Sequence, residues 1–83
     1  MAEEQVTFHN KAEIRVQAQI FAGRTLVSTS VTGPGETCIL PAKAAGYDIY
    51  LKNAATGWEI ARKLNSEATT ATLKQRNGRH VIT

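Results

Sequence analysis

One cysteine, one tryptophan, two prolines and two histidines in eighty-three residues remove several classes of protein at once. A lone Cys38 cannot close an intramolecular disulfide, so the chain does not read as a cysteine-stapled secreted scaffold. Two histidines and one cysteine, none closely spaced, give no metal site to expect. The longest uninterrupted apolar runs are about three residues, far below the roughly 20 that a membrane helix needs. The opening Met1-Ala2-Glu3-Glu4-Gln5 is acidic and polar, where a secretory signal is basic and then apolar. These absences lead us to expect a soluble, cytoplasmic protein in a reducing compartment, with no membrane partner.

Catalytic groups are just as sparse. A nucleophile needs a base and something to orient that base, and Cys38, His9, His80 and Asp48 show no telling spacing. Cys38 lies in Thr37-Cys38-Ile39-Leu40, where a thiol behaves as a small buried hydrophobe. His9 reads as a turn residue at a strand end, and His80 as a partly exposed side chain near a hairpin tip. Gly33-Pro34-Gly35 lacks the lysine and the following helix of a phosphate loop. We expect no enzyme, no cofactor and no metal.

Acidic residues are nearly missing from the last quarter of the chain. Residues 62–83 hold Arg62, Lys63, Lys74, Arg76 and Arg79 against Glu67, whereas residues 1–61 are close to balanced, within a net charge of +3. Such a basic stretch is the electrostatic footprint of nucleic-acid binding, although it more often serves solubility alone.

What is present is period two. Ile14, Val16, Ala18 and Ile20 alternate with Arg15, Gln17 and Gln19, which fits a half-buried strand and no helix. With 42% hydrophobic and 20% charged residues, the chain collapses as a single domain over 1–83. A domain this small has a thin margin of burial over ordering entropy, which favours pairing with a second copy.

Three hairpins can be read with registers. The turn Ala22-Gly23-Arg24-Thr25 pairs Phe21 with Leu26, Ile20 with Val27, Ala18 with Thr29 and Val16 with Val31. That register gathers Ile14, Val16, Ala18, Ile20, Val27 and Val31 on one face. The loop Ala54-Ala55-Thr56-Gly57 sets Lys52 opposite Glu59, Leu51 opposite Ile60 and Asp48 opposite Lys63. Asn77-Gly78 pairs Leu73 with Ile82 and Gln75 with His80. Further strands are expected near Gln5 to His9 and Thr37 to Leu40, and Pro41 to Ala45 is the one place for a helical turn. The breaks at Gly33-Pro34-Gly35 and Pro41 to Gly46 look like crossings between sheets. The expected fold is all-β: a small antiparallel β-sandwich of seven to eight strands, with a small barrel as the alternative. At the level of architecture, the alternation and the turn Thr32-Gly33-Pro34-Gly35-Glu36-Thr37 resemble small immunoglobulin-like or transthyretin-like sandwiches, a likeness that carries no function.

Two features point to a surface. Phe21 and Leu26 fall together on the face otherwise carrying Arg15, Gln17, Gln19, Ser28 and Ser30, where they are either tucked under a neighbouring loop or offered to another chain; a contact between copies or with a protein partner is the expectation. Tyr50 points outward among Asp48, Lys52, Glu59 and Lys63, while Trp58 is expected on the core side with Tyr47, Leu51 and Ile60. The expected function is a self-associating interaction module that binds through a sheet face or edge. The alternatives are a glycan site built on Trp58, Tyr50, Asn53 and Asp48, and a nucleic-acid site built on Arg62, Lys63, Lys74, Arg76 and Arg79.

Overall fold

The computed structural model describes residues 4–42 and 46–83, which form eight strands: β1 (Glu4–Asn10), β2 (Val16–Ala22), β3 (Thr25–Thr32), β4 (Thr37–Ala42), β5 (Tyr47–Asn53), β6 (Glu59–Ser66), β7 (Thr70–Arg76) and β8 (Arg79–Ile82). There is no helix among the described residues, and none is therefore long and apolar enough to cross a membrane, which says nothing of membrane β-barrels. Pro41 and Ala42, expected to start a helical turn, continue β4 instead, and the rest of that expectation, residues 43–45, lies outside the described residues.

The strands form two four-stranded sheets, ordered β4-β1-β7-β8 and β3-β2-β5-β6. All pairings are antiparallel except β1 with β7, which is parallel. Each sheet keeps its own edges, so the chain is a sandwich and not a barrel. The three hairpins stay within one sheet, while both expected breaks, after β3 and after β4, carry the chain from one sheet to the other. Immunoglobulin sandwiches pair their first two strands, but here β1 and β2 belong to different sheets.

Alternation builds the core. Val6, Phe8, Leu40, Ala42, Ala71 and Leu73 from one sheet meet Val16, Ala18, Ile20, Tyr47, Ile49 and Leu51 from the other, all buried. Hydrogen bonds lock the crossings at both ends. Asn10, buried, donates from Nδ2 to the carbonyls of Ile14 and Thr32, and its Oδ1 accepts the N–H of Ala12. At the other end the Tyr47 hydroxyl donates to the carbonyl of Ala68 at 2.6 Å. Each arrangement replaces the ladder partners that a chain loses when it leaves a sheet.

Two of the three expected registers need correction, and β-bulges are the reason. Phe21 does oppose Leu26 across Gly23, whose φ of 63° the turn requires. Beyond that pair Val27 is an extra residue, so Ile20 opposes Ser28, Ala18 opposes Ser30 and Val16 opposes Thr32. One extra residue reverses the parity of every later position on its strand. Val27 still packs against the core at the bulge, but Val31 turns outward and is 55% exposed. In the β5–β6 hairpin Lys52 opposes Glu59 as expected, yet Ile60 is extra, so Leu51 opposes Ala61. The same shift sets Ile49, and not Asp48, opposite Lys63, and a second irregularity between Ile49 and Tyr47 pairs Tyr47 with Ser66. Asn65 there adopts a φ of 55°, and Asp48 Oδ1 accepts its N–H at 2.9 Å. The Asn77-Gly78 hairpin keeps its expected register, with both turn residues at positive φ.

Candidate functional site

The outer face of the β3-β2-β5-β6 sheet is the candidate site, and the pairings arrange it as three rows across four strands. Val31, Gln17, Lys52 and Glu59 form the first row, and Thr29, Gln19, Tyr50 and Arg62 the second. Leu26, Phe21 and Asp48 form the third, which Leu64 extends on β6. At the centre the rings of Phe21 and Tyr50 meet edge to face, with centroids 5.3 Å apart and planes at 89°. This geometry suits the aromatic quadrupoles and fixes both rings. Around them lies a shallow open groove of about 390 Å³, floored by Gln19, Phe21 and Tyr50 and bounded by Arg24, Lys52 and Glu59. Leu26, Val31 and Leu64 are each about half exposed at the margins.

Phe21 and Leu26 therefore stand on the outer face as the alternation predicts, and Tyr50 joins them. Val31 and Leu64 were not expected there. Their outward direction depends on the bulges at Val27 and Ile60, for which the sequence offers no turn signature.

Trp58 departs from expectation: it is 75% exposed and no part of the core. The bulge at Ile60 does not reach it, since Lys52 and Glu59 pair as expected; Trp58 stands in the connection just before β6 begins, clear of the core that Ile60 packs against. Trp58 instead ends the hairpin, its carbonyl accepting the Asn53 N–H at 2.8 Å, on a strand with no neighbour beyond it. The expected grouping of Trp58, Asn53 and Asp48 does not form. Asn53 and Trp58 lie at the loop end of β5, Asp48 at the opposite end, and Asn53 Oδ1 is occupied by the N–H of Ala55.

The basic set is divided between the sheets. Lys74, Arg76 and Arg79 share the outer face of the β7–β8 hairpin, while Arg62 and Lys63 sit on β6. Arg62 Nε lies 3.4 Å from Glu59 Oε2, which offsets its charge. Lys63 opposes the buried Ile49 and so points toward the inner side of an edge strand, a position that discourages another strand from pairing there.

No catalytic constellation assembles from the chemical candidates. Cys38 is half-buried with its Sγ 3.0 Å from Thr32 Oγ1. His9 lies within β1 and not in a turn, its Nδ1 3.0 Å from Thr37 Oγ1. His80, on β8 opposite Gln75, is partly buried as expected, with an Nε2 that finds no partner among the described residues. Among the described residues, no three histidine, cysteine or carboxylate side chains cluster as metal ligands would. Compared with models of protein families, with curated proteins and with solved structures, the chain matches none.

Proposed function

We propose that this chain is a non-enzymatic interaction module that self-associates through the outer face of the β3-β2-β5-β6 sheet. The observation that carries this reading is the grouping of Phe21, Leu26, Val31, Tyr50 and Leu64 on that face. Among the described residues the opposite outer face holds a single large exposed hydrophobic, Ile39. An aromatic pair at the centre of a face with exposed aliphatic side chains at its margins is the kind of apolar grouping that marks an interaction surface.

The sheet edges are poorer candidates. β3 is bulged at Val27, β6 is bulged twice and carries the inward Lys63, and β8 has only four residues. On β4, Pro41 removes a donor, and its carbonyl accepts the Ser28 hydroxyl at 2.7 Å. Bulges, inward charges, proline and shortness all oppose strand addition. The face is left as the route to a partner.

Light scattering on the purified chain over a concentration series tests the reading. A mass that rises above 9.0 kDa and returns to it in the Phe21→Ser/Leu26→Ser variant supports the face. A wild-type chain that stays monomeric at millimolar concentration overturns it.

A second reading, carbohydrate binding, is favoured by the exposure of Trp58, since a solvated indole face suits sugar stacking. Glycan-array screening with Trp58→Ala as the comparison tests it. The nucleic-acid reading is weakened by the division of the basic residues and by the Arg62–Glu59 pair.

A further inference from the structure

The charges on the candidate face have an order along β5, and that order specifies how two copies fit. This step rests on the self-association reading and adds its register. Lys52, Tyr50 and Asp48 succeed one another on the outer side of β5, opposite Gln17, Gln19 and Phe21 of β2. Among the described residues neither charge has an ionic partner, the one salt bridge there joining Glu59 to Arg62. Asp48 uses one oxygen for the Asn65 N–H, and the other is left for a cation.

We infer that two copies pack face to face about a two-fold axis running across the strands through Thr29, Gln19 and Tyr50, so that Lys52 of each copy lies over Asp48 of the other. In a two-fold contact every pairing occurs twice, which makes self-complementarity the requirement. This axis keeps each strand over its own copy and exchanges the first and third rows. Val31 then covers Leu26 of the other copy, Gln17 covers Phe21, and the two Tyr50 rings meet at the axis. The alternative axis, along the strands, would set Asp48 against Phe21, desolvating a carboxylate with no cation to receive it, whereas Glu59 meets an aliphatic side chain about either axis, Leu64 or Val31, and keeps Arg62 in both. Arg62 falls on the axis row at the outermost strand, where each guanidinium keeps its own Glu59 at the solvent rim.

Four strands by three rows span roughly 20 Å each way from strand spacing and rise, about 400 Å² per copy, which is below the range of stable interfaces and in that of weak, transient ones. Association is therefore expected at roughly 10 to 100 μM.

Sedimentation equilibrium on Lys52→Glu, on Asp48→Lys and on their equimolar mixture tests the register. Each variant alone sets like charges against each other twice and should associate at least about tenfold more weakly than the parent. In the mixture the new glutamate meets the new lysine while native Asp48 meets native Lys52, so association should return to within about threefold of the parent. A mixture no better than the single variants overturns the register. The face reading still stands in that case if Phe21→Ser/Leu26→Ser abolishes association of the parent, whereas a monomeric parent overturns both. Should Asp48→Lys fail to fold through loss of its bond to Asn65, Lys52→Glu against Lys52→Gln decides. Weaker association of the glutamate variant supports the register, and equal association overturns it.

Discussion

The outer faces of the two sheets cover one core yet show different chemistry to water. On the β4-β1-β7-β8 side, Thr7, Thr37, Thr70 and Thr72 surround His9 and an isolated Ile39, with Lys74, Arg76 and Arg79 at the hairpin end. On the β3-β2-β5-β6 side an aromatic pair occupies the centre and aliphatic side chains the margins. Threonine satisfies strand preference on a solvated face at least as well as leucine does. Folding therefore does not require the second composition, and each fully exposed aliphatic side chain forgoes about 1.5 to 3 kcal/mol relative to burial. The difference between the faces teaches that stability is set between the sheets, while the outer faces are free to differ.

The comparison presupposes that the sheets act as one body, so the largest expected effect is at their joint. Asn10→Ala leaves the Ile14 and Thr32 carbonyls and the Ala12 N–H without their side-chain partner. It should cost about 2 to 4 kcal/mol, read by urea unfolding below the association range. A loss under about 1 kcal/mol would mean that water or backbone shifts replace those bonds.

Next comes the contrast of faces. Phe21→Ser/Leu26→Ser should abolish association while reducing stability by less than about 2 kcal/mol, since neither side chain belongs to the core. Ile39→Ser on the opposite face should leave the solution mass at every concentration unchanged, and a shift toward monomer there would erase the distinction.

The basic hairpin end gives a smaller effect. Three cations can release at most about three phosphate counterions, so affinity for random nucleic acid should fall with salt at a log–log slope no steeper than about −2.7. Lys74→Gln/Arg76→Gln/Arg79→Gln should abolish that slope without changing self-association. A slope near about −5 in filter-binding titrations would restore the full basic set as one surface.

Smallest of all is Trp58→Ala, expected to alter stability by no more than about 0.5 kcal/mol because the indole is solvated. A core tryptophan would cost about 3 to 5 kcal/mol, so a single denaturation curve decides between the two placements.

Much of this architecture is legible in the chain itself. The alternation of Ile14 to Ile20, the Asn77-Gly78 turn and the breaks at Gly33-Pro34-Gly35 and Pro41 to Gly46 foretell strands, a hairpin and two sheet crossings. Phe21, Leu26 and Tyr50 are legible as outward residues because they lie on the near side of any bulge or on a strand that contains none. Val31 and Leu64 are not, because Val27 and Ile60 become extra residues where they pack against the core, and Trp58 is not, because it stands in the connection just before β6. Neither Val27 nor Ile60 is a glycine or part of a turn motif that would announce a bulge. Asn10 is hidden for a similar reason: its three side-chain bonds reach backbone groups in two different crossings, a convergence that only the folded chain creates.

The extra residue at Val27 also gives β3 slack in length. If one residue between Ser28 and Val31 were deleted, Val27 could fill the vacated ladder position opposite Ile20. Thr32 would still reach Val16 and the crossing beyond would not move. A regular strand offers no such reserve, because any change in its length is passed to the far end of the sheet. Related chains that differ by one residue in this hairpin would then share a core and a joint while displaying different rows to their partners.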